Sequence, residues 1–505
     1  MTSVSPWGYN AVVPVEASSG RLYPFLEAAF HPKVVAVVGV SADAKRNGPP
    51  AIGGSNFIRS YEQLGFQGRI YPVNPKATEI LGLKAYPNVS SIPEPVDLVI
   101  VSVPAHAVPG VLEDCIAANA RNVHVFTAGF EETGEEEAKE LGCRVRQIAL
   151  RGGLCLIGPN CMGPYVPQAG IGSFERVPRE SGPVSFISQS GGHCNWFCHH
   201  GPDHGIRFSK VISFGNAYVL DSTDYLEYLA VDPETTIICM YLEGVKDGGK
   251  LLRQVREINR VKPVILWKGG LTESGSRAVA SHTGSLAGQE AIWRGFFAQT
   301  GAVRVFSLEE MAEITMTFLH VRPPQGKRVA VLGAGGGSSV ASADVCVYEG
   351  LEVPTLTQET QAELKKFIPL AGASIKNPLD TGLLFRNVSL LEREMELVAA
   401  DPLIDMLIVM PHLDMGGRAG PDQIDRLVNH LCDFSRDNSY GKPTVIVFHS
   451  FANDPWEVEL RARLEVELPN KGVAVYSSLS GASRALARFF EYHRFQRELA
   501  AESRR

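Results

Sequence analysis

The chain has 505 residues, 45% hydrophobic and 20% charged, with a formal net charge of −7 and an isoelectric point near 6.0. That length suits about three domains, and the acidic balance provides no overall basic field for nucleic acid. The stretch from Met1 to Leu22, broken by Pro6, Pro14 and Gly20, lacks the basic and apolar regions of a signal peptide, and no apolar run approaches the ~20 residues of a membrane span.

Short apolar runs alternate with longer mixed segments, the pattern of strands and helices around parallel sheets, so the expected class is α/β. The first unit opens on a buried strand at Lys33–Gly39, with further strands at Gly68–Val73, Asp97–Val103 and Asn122–Phe126, and it closes near Gly158–Gly163. A second begins at Gly182–Ile187, with strands at Lys210–Ser213, Thr236–Leu242 and Pro263–Trp267. Pro323–Lys327 reads as a linker. A third unit opens at Arg328–Leu332 and carries strands near Met406–Met410 and Thr444–Phe448. The expected domains are therefore 20–165, 175–322 and 326–505. Nine scattered cysteines fit buried thiols of a reducing compartment, which makes a cytoplasmic location the expectation.

The second and third units open alike, with an apolar strand, a turn of small residues and then a helix. The turns are Ser188-Gln189-Ser190-Gly191-Gly192 and Gly333-Ala334-Gly335-Gly336-Gly337. Glycines let the backbone approach an oxyanion, and free amides at a helix N-terminus favour phosphate. Neither turn is a Walker A loop, because no Lys-Ser or Lys-Thr follows the glycines. Between them, Ser281-His282-Thr283-Gly284-Ser285-Leu286-Ala287-Gly288 sets a histidine among small, flexible residues. Such a histidine can serve as base, ligand or nucleophile near pH 7, or can be a surface residue in a polar turn. Two phosphate-suited turns and one loosely held imidazole together suggest a phosphoryl group handled at two places.

In the first unit the turn Gly39-Val40-Ser41 follows the first strand, where doubly wound sheets bind nucleotides, but the three-glycine dinucleotide fingerprint is missing. The second strand ends in Asn74-Pro75-Lys76. A lysine there suits an extra phosphate, as on NADP or at the 3′ position of coenzyme A; a solvated lysine is the plainer reading. Val103, Pro104, Thr127, Ala128 and Gly129 follow the next strands on the same rim, and their modest size leaves room for a ligand. The run His193 to His204 holds Cys194, Cys198 and several histidines, but it matches no standard zinc spacing, so a packed helix and no metal on this chain are expected.

These motifs, in this order and spacing, resemble the α-subunit of NDP-forming acyl-CoA synthetases, the group of ADP-forming acetyl-CoA synthetase and, more distantly, succinyl-CoA synthetase. The resemblance runs from about Phe30 to Phe490. It rests on the first-strand glycine turn, Val73-Asn74-Pro75-Lys76, Thr127-Ala128-Gly129-Phe130, Gly158-Pro159-Asn160-Cys161, Ser188-Gln189-Ser190-Gly191, Tyr241-Leu242-Glu243-Gly244-Val245, the Ser281–Gly288 loop, and Ala334-Gly335-Gly336 with Asn377-Pro378-Leu379-Asp380. It implies a CoA-binding Rossmann-like domain followed by two flavodoxin-like domains of the succinyl-CoA-ligase type. It further implies that His282 carries the phosphoryl group and Glu243 orients it. Coenzyme A would lie against Gly39, Val40, Ser41, Lys76, Val103, Pro104, Thr127, Ala128, Gly129 and Asn160. Phosphate would lie on Ser188, Gln189, Ser190, Gly191 and Gly192, and on Gly335, Gly336 and Gly337. The family also needs an ATP-grasp module for NTP and Mg2+, for which the three units leave no room, so a partner β-subunit is expected. One departure stands out: where relatives carry Gly-Asn-Lys-Ala-Asp, this chain has Gly215-Asn216-Ala217-Tyr218-Val219-Leu220-Asp221.

Two other readings remain at this stage. A non-catalytic CoA or acyl-CoA sensor fits the missing lysine and missing ATP-grasp half, and an NADP oxidoreductase rests on Lys76 alone. The acyl-CoA synthetase reading uses the most residues.

Overall fold

The computed structural model describes residues 22–44, 53–174, 176–277, 289–333, 335–413, 421–448 and 455–502. The chain divides into two compact units, one formed by residues 1–199 and 207–306, the other by residues 200–206 and 307–505.

The first unit contains two sheets. Strands β1 (Val34–Val38), β2 (Arg69–Val73), β5 (Leu98–Val101), β6 (Asn122–Val125) and β7 (Cys155–Ile157) form one parallel sheet in the order β2-β1-β5-β6-β7. Between β2 and β5 a small antiparallel ribbon joins β3 (Glu79–Ile80) to β4 (Leu83–Lys84). β1 is an unbroken Val-Val-Ala-Val-Val run and every residue of it is buried, as expected for a strand covered on both faces. Helix α1 (Gly54–Leu64) places Phe57 edge-on against His124 and Phe126, with ring centroids 5.6 and 5.4 Å apart.

The second sheet has the order β13-β12-β11-β9-β10-β8, from β8 (Gly163–Tyr165), β9 (Val184–Ser188), β10 (Phe208–Ser213), β11 (Ile237–Leu242), β12 (Val264–Lys268) and β13 (Val303–Val305). All pairs are parallel except β8 with β10. The motif after β7 thus leads directly into an edge strand of this sheet. Helix α2 (Gly191–His200) follows β9, α3 (Gly248–Ile258) follows β11, and α4 (Glu290–Thr300) precedes β13. α3 shows why such segments are helical: Asp247 caps it by accepting the Lys250 amide at 2.8 Å, a contact worth ~1 kcal/mol. Its buried Leu251, Val255 and Ile258 fall on one face, each contributing ~2 kcal/mol of burial.

In the second unit, β14 (Val329–Leu332), β15 (Met406–Val409), β16 (Thr444–Val447) and β17 (Val475–Tyr476) form a parallel sheet in sequence order. α5 (Leu308–His320) belongs here although it precedes the Pro323–Lys327 segment. Phe318 stacks edge-on against Phe489 and Tyr492 of α7 (Leu479–Glu502), with centroids 4.8 and 5.0 Å apart. The C-terminal helix α7 is therefore docked within this unit and begins at Leu479. α6 (Gly337–Tyr348) follows β14. Among the described residues no helix is long and apolar enough to cross a membrane.

Candidate functional site

Leaving aside the β3–β4 ribbon and the antiparallel edge strand β8, both sheets of the first unit carry the flavodoxin-like strand order 2-1-3-4-5. Such sheets bind ligands beyond the C-terminal strand ends, where the order reverses. In the first sheet the reversal lies between β1 and β5. Gly39 sits there with φ +93°, and a Cβ on it would stand 2.2 Å from the Ser102 carbonyl oxygen. A residue with a side chain would force β1 and β5 apart.

Every residue expected at this rim follows a strand end of this one sheet: Gly39, Val40 and Ser41 after β1, Lys76 after β2, Val103 and Pro104 after β5, Thr127, Ala128 and Gly129 after β6, and Asn160 after β7. The rim is tied together by its own hydrogen bonds. The Asn74 amide group donates to Val40 O at 2.8 Å, and Asn74 Oδ1 accepts the Lys76 amide at 2.8 Å. This turn leaves the Lys76 side chain exposed. Thr127 donates to Val103 O at 2.7 Å. Asn160 N donates to Thr127 O at 2.9 Å, with Asn160 itself in the left-handed region at φ 57°.

A link then runs to the second sheet within the same unit. Asn160 Nδ2 donates to Asn216 Oδ1 at 3.3 Å, and Asn216 Nδ2 donates to Glu132 Oε2 at 2.8 Å. The other oxygen of Glu132 accepts the amides of Gly129 and Phe130 at 2.6 and 3.1 Å. Burial opposes the charge on Glu132, yet these donors outweigh it and hold the carboxyl below its ordinary range. At the position where the family resemblance leads one to expect a lysine after Gly-Asn, Ala217 stands, and the Lys246 ammonium donates to its carbonyl. A cation from another element therefore reaches this turn.

In the second sheet the order reverses between β9 and β11, and the expected phosphate turn and Glu243 leave these two strands side by side. Ser188 Oγ accepts the Ser190 amide at 3.0 Å and Ser190 Oγ accepts the His193 amide at 3.2 Å, so Ser190 caps α2. The first-turn amides of Gly191 and Gly192 have no intrahelical partner by position, as an anion site requires. Gln189 turns the other way, and its side-chain oxygen accepts the Glu243 and Gly244 amides at 2.5 and 2.9 Å. Glu243, only 6% exposed, accepts the Tyr241 hydroxyl at 3.2 Å. Burial, and next the Glu243 carboxylate, push the Tyr241 phenol up, which keeps it a donor. His193 stacks on Trp267 at 5.0 Å and meets Tyr241 edge-on at 4.2 Å.

His282 lies outside the described residues, as does Ala334. Cys194 and Cys198 are wholly buried, and burial raises both thiols. Among the described residues no group of three or more His, Cys, Asp or Glu is arranged to hold a metal ion.

In the second unit Gly335, Gly336 and Gly337 lead from β14 into α6. Here Asp380 Oδ2 accepts the Gly336 amide at 2.7 Å. Leu379 bridges Leu332, and Asn377 holds β14 by accepting the Val331 amide at 3.0 Å and donating to Val329 O at 2.7 Å. Two contributors escaped the sequence reading. Lys268, 5% exposed, donates to the Glu243 carbonyl at 2.7 Å and to that of Gly269. Its position beside Gly269-Gly270 was the one signal. Asp380 ends the Asn377–Asp380 motif, and only the fold brings it to the Gly336 amide.

These sheets, with a glycine turn at one reversal point and a capped amide-rich turn beside a buried glutamate at the other, define a CoA-ligase-type α/β protein. The comparisons agree with that class. A family described as CoA binding domain matches residues 33–166, and one described as succinyl-CoA ligase like flavodoxin domain matches residues 181–318. The chain is 38% identical over 429 residues to acetate–CoA ligase (ADP-forming) II subunit alpha of Pyrococcus furiosus, covering 84% of this chain and 90% of that protein. It is 37% identical over 386 residues to acetate–CoA ligase (ADP-forming) I of Archaeoglobus fulgidus, covering 76% of this chain but 54% of that longer protein. Among solved structures, a chain of dinucleotide forming acetyl-coenzyme A synthetase 1 from Ca. Korarchaeum cryptofilum, in complex with phosphate and ADP, superposes with TM-score 0.78 at 31% identity, covering 94% of this chain and 98% of that one. The chain belongs to the ADP-forming acyl-CoA synthetase family, among its alpha-subunit-type members.

Proposed function

We propose that the chain is the CoA-binding, phosphohistidine-bearing subunit of an NDP-forming acyl-CoA synthetase. The reaction interconverts carboxylate, CoA and NTP with acyl-CoA, NDP and phosphate. In the synthetic direction an imidazole nitrogen of His282 takes the terminal phosphoryl group of NTP, releasing NDP. A carboxylate oxygen then attacks that phosphorus, the P–N bond breaks, and an acyl phosphate forms. The CoA thiolate attacks the acyl carbon and phosphate leaves. Phosphoryl transfer of this kind needs chiefly positioning and charge neutralisation. On this chain, the Gly191 and Gly192 amides would supply the neutralisation, and Glu243 would fix and steady the imidazole.

CoA is proposed to lie on the β1/β5 rim, with Gly39, Val40 and Ser41 against its pyrophosphate and Lys76 available to its 3′-phosphate. Gly335–Gly337 is proposed as the second phosphate turn. Nucleotide and Mg2+ would be held by an ATP-grasp partner subunit, a division supported by the relative named as a subunit alpha. The observation that carries the reading is the Gln189–Glu243 pairing, which sets a buried carboxylate beside a capped helix N-terminus at a sheet's reversal point.

The test is phosphorylation. The purified chain, incubated with acetyl-CoA, 4-hydroxybutyryl-CoA or an aryl-CoA and labelled phosphate, should acquire an acid-labile, base-stable label that His282→Asn abolishes. Equal labelling of His282→Asn, or no labelling with any of these and none from ATP with a partner subunit, would overturn it.

A further inference from the structure

The two faces of the β11 and β12 strand ends serve different neighbours. Tyr241 and Trp267, in register with each other, face α2 and His193. Leu242 and Lys268 are the next register pair, and alternation along a strand turns them to the opposite face. There α3 and α4 leave a cavity of about 280 Å3.

The described lining of the cavity is mostly apolar and holds one cation. Val245, Leu251 and Leu252 line one side, Trp293 and Phe296 the other, and Ile292 stands at the rim, 66% exposed. Lys268 reaches in with its ammonium 5.4 Å from the centre of the Trp293 ring. An ammonium has three donors; two of these are bonded to the carbonyls of Glu243 and Gly269. Among the described lining residues there is no carboxylate, and the other polar side chain is Gln299. Burial, partly offset by Glu243, brings Lys268 down to about 8.

We propose that this cavity is a binding site for a small apolar monocarboxylate, held by Lys268 through its remaining donor and by the Trp293 and Phe296 rings. The volume lies just below the usual range of small-molecule sites (~300–1,000 Å3), which suits a small ligand, and one cation matches one negative charge. A nucleotide or CoA, with several phosphates and a larger body, does not fit that description. Because Lys268 also holds the Glu243 carbonyl, occupation of the cavity bears on the strand end that carries Glu243. That consequence rests on the function proposed above, whereas the binding does not.

The probe is phenylacetate, titrated calorimetrically and by tryptophan fluorescence into the full chain, with uncharged phenylacetamide as its counterpart. Phenylacetate should bind saturably. Phenylacetamide, and phenylacetate with Lys268→Met, should bind about tenfold or more weakly, as expected for a lost charged hydrogen bond. Leu252→Trp, which fills the cavity from α3, should abolish binding while its far-ultraviolet spectrum and melting stay those of the parent; it carries the test if Lys268→Met folds poorly. Failure to saturate at millimolar phenylacetate, equal binding of the amide, or binding that survives Leu252→Trp would each overturn the site. None of these readouts involves phosphorylation of His282, so loss of the site and loss of the ligase reading are distinguishable.

Discussion

The side-chain oxygen of Gln189 holds Glu243 by its backbone, accepting the Glu243 amide at 2.5 Å and the Gly244 amide at 2.9 Å. Gln189 follows β9 and Glu243 follows β11, so one carboxamide fixes the proposed phosphate turn against the glutamate. Gln189→Met would leave two buried amides unpaired, at ~1–3 kcal/mol each, and free the strand end to shift. The expected result is a loss of about ten- to hundredfold in single-turnover labelling of His282, with CoA affinity unchanged by calorimetry. A parallel fall in CoA affinity would instead mean that the whole unit had loosened.

The strand-end residues were legible because each follows a short, mostly apolar run, and a parallel sheet brings all such ends to one edge. That rule places Gly39, Thr127 and Ser190 at a rim, whereas Glu243 was singled out by the family resemblance. What the sequence hid were contacts between distant segments. Asp380 lies 44 residues from the amide it binds, and nothing local marks it. Lys268 is among the residue types that almost never go fully inside, so its burial beneath Trp293 contradicts the ordinary expectation for lysine. The place of α5 beside α7 was obscured because Pro323-Pro324, the stronger break in composition, falls after it.

Asp380 gives the second prediction. Its carboxylate already lies on the Gly336 amide at the start of α6, the place proposed for a phosphate. Two anions compete for one helix N-terminus. Asp380→Ala should therefore raise the affinity of this turn for inorganic phosphate, by about tenfold if one charge is removed at close range. Calorimetric titration of phosphate into parent and variant reads it directly. Weaker binding in Asp380→Ala would show that the carboxylate helps to hold phosphate, through a shared cation, and does not compete with it.

Gly39 offers a way to separate CoA binding from phosphoryl chemistry. Its hypothetical Cβ falls 2.2 Å from the Ser102 carbonyl oxygen and 2.7 Å from that carbonyl carbon, at a φ of +93°. Backbone atoms cannot rotate aside as a side chain can, so Gly39→Ala should cost ~2–4 kcal/mol. It should also remove measurable CoA binding. Labelling of His282 by acetyl phosphate, which needs no CoA, should persist at temperatures where the variant remains folded. Equal loss of both activities would place the rim and the phosphoryl site in one inseparable structure.

Acid stability of the first unit should depend on His124. This imidazole is 1% exposed and its Nε2 lies 3.1 Å from the Cys161 carbonyl, to which the neutral ring donates. Burial, only partly offset by that bond, lowers it to about 4. The folded value is below the unfolded one of ~6.5, so the unfolded chain binds the extra proton first. The contribution is then fully present above pH ~6.5, shrinks as pH falls from there to about 4, and changes no further below it. Between pH 7 and pH 5 the change is about 2 kcal/mol. Trp196, Trp267 and Trp293 all lie in this unit, so urea unfolding followed by tryptophan fluorescence at the two pH values measures it. His124→Asn, which keeps a donor for the Cys161 carbonyl but cannot titrate, should lower stability at pH 7 and reduce the difference between the two pH values by that amount. An unchanged pH difference in the variant would show that the loss of stability comes from other groups in the unit.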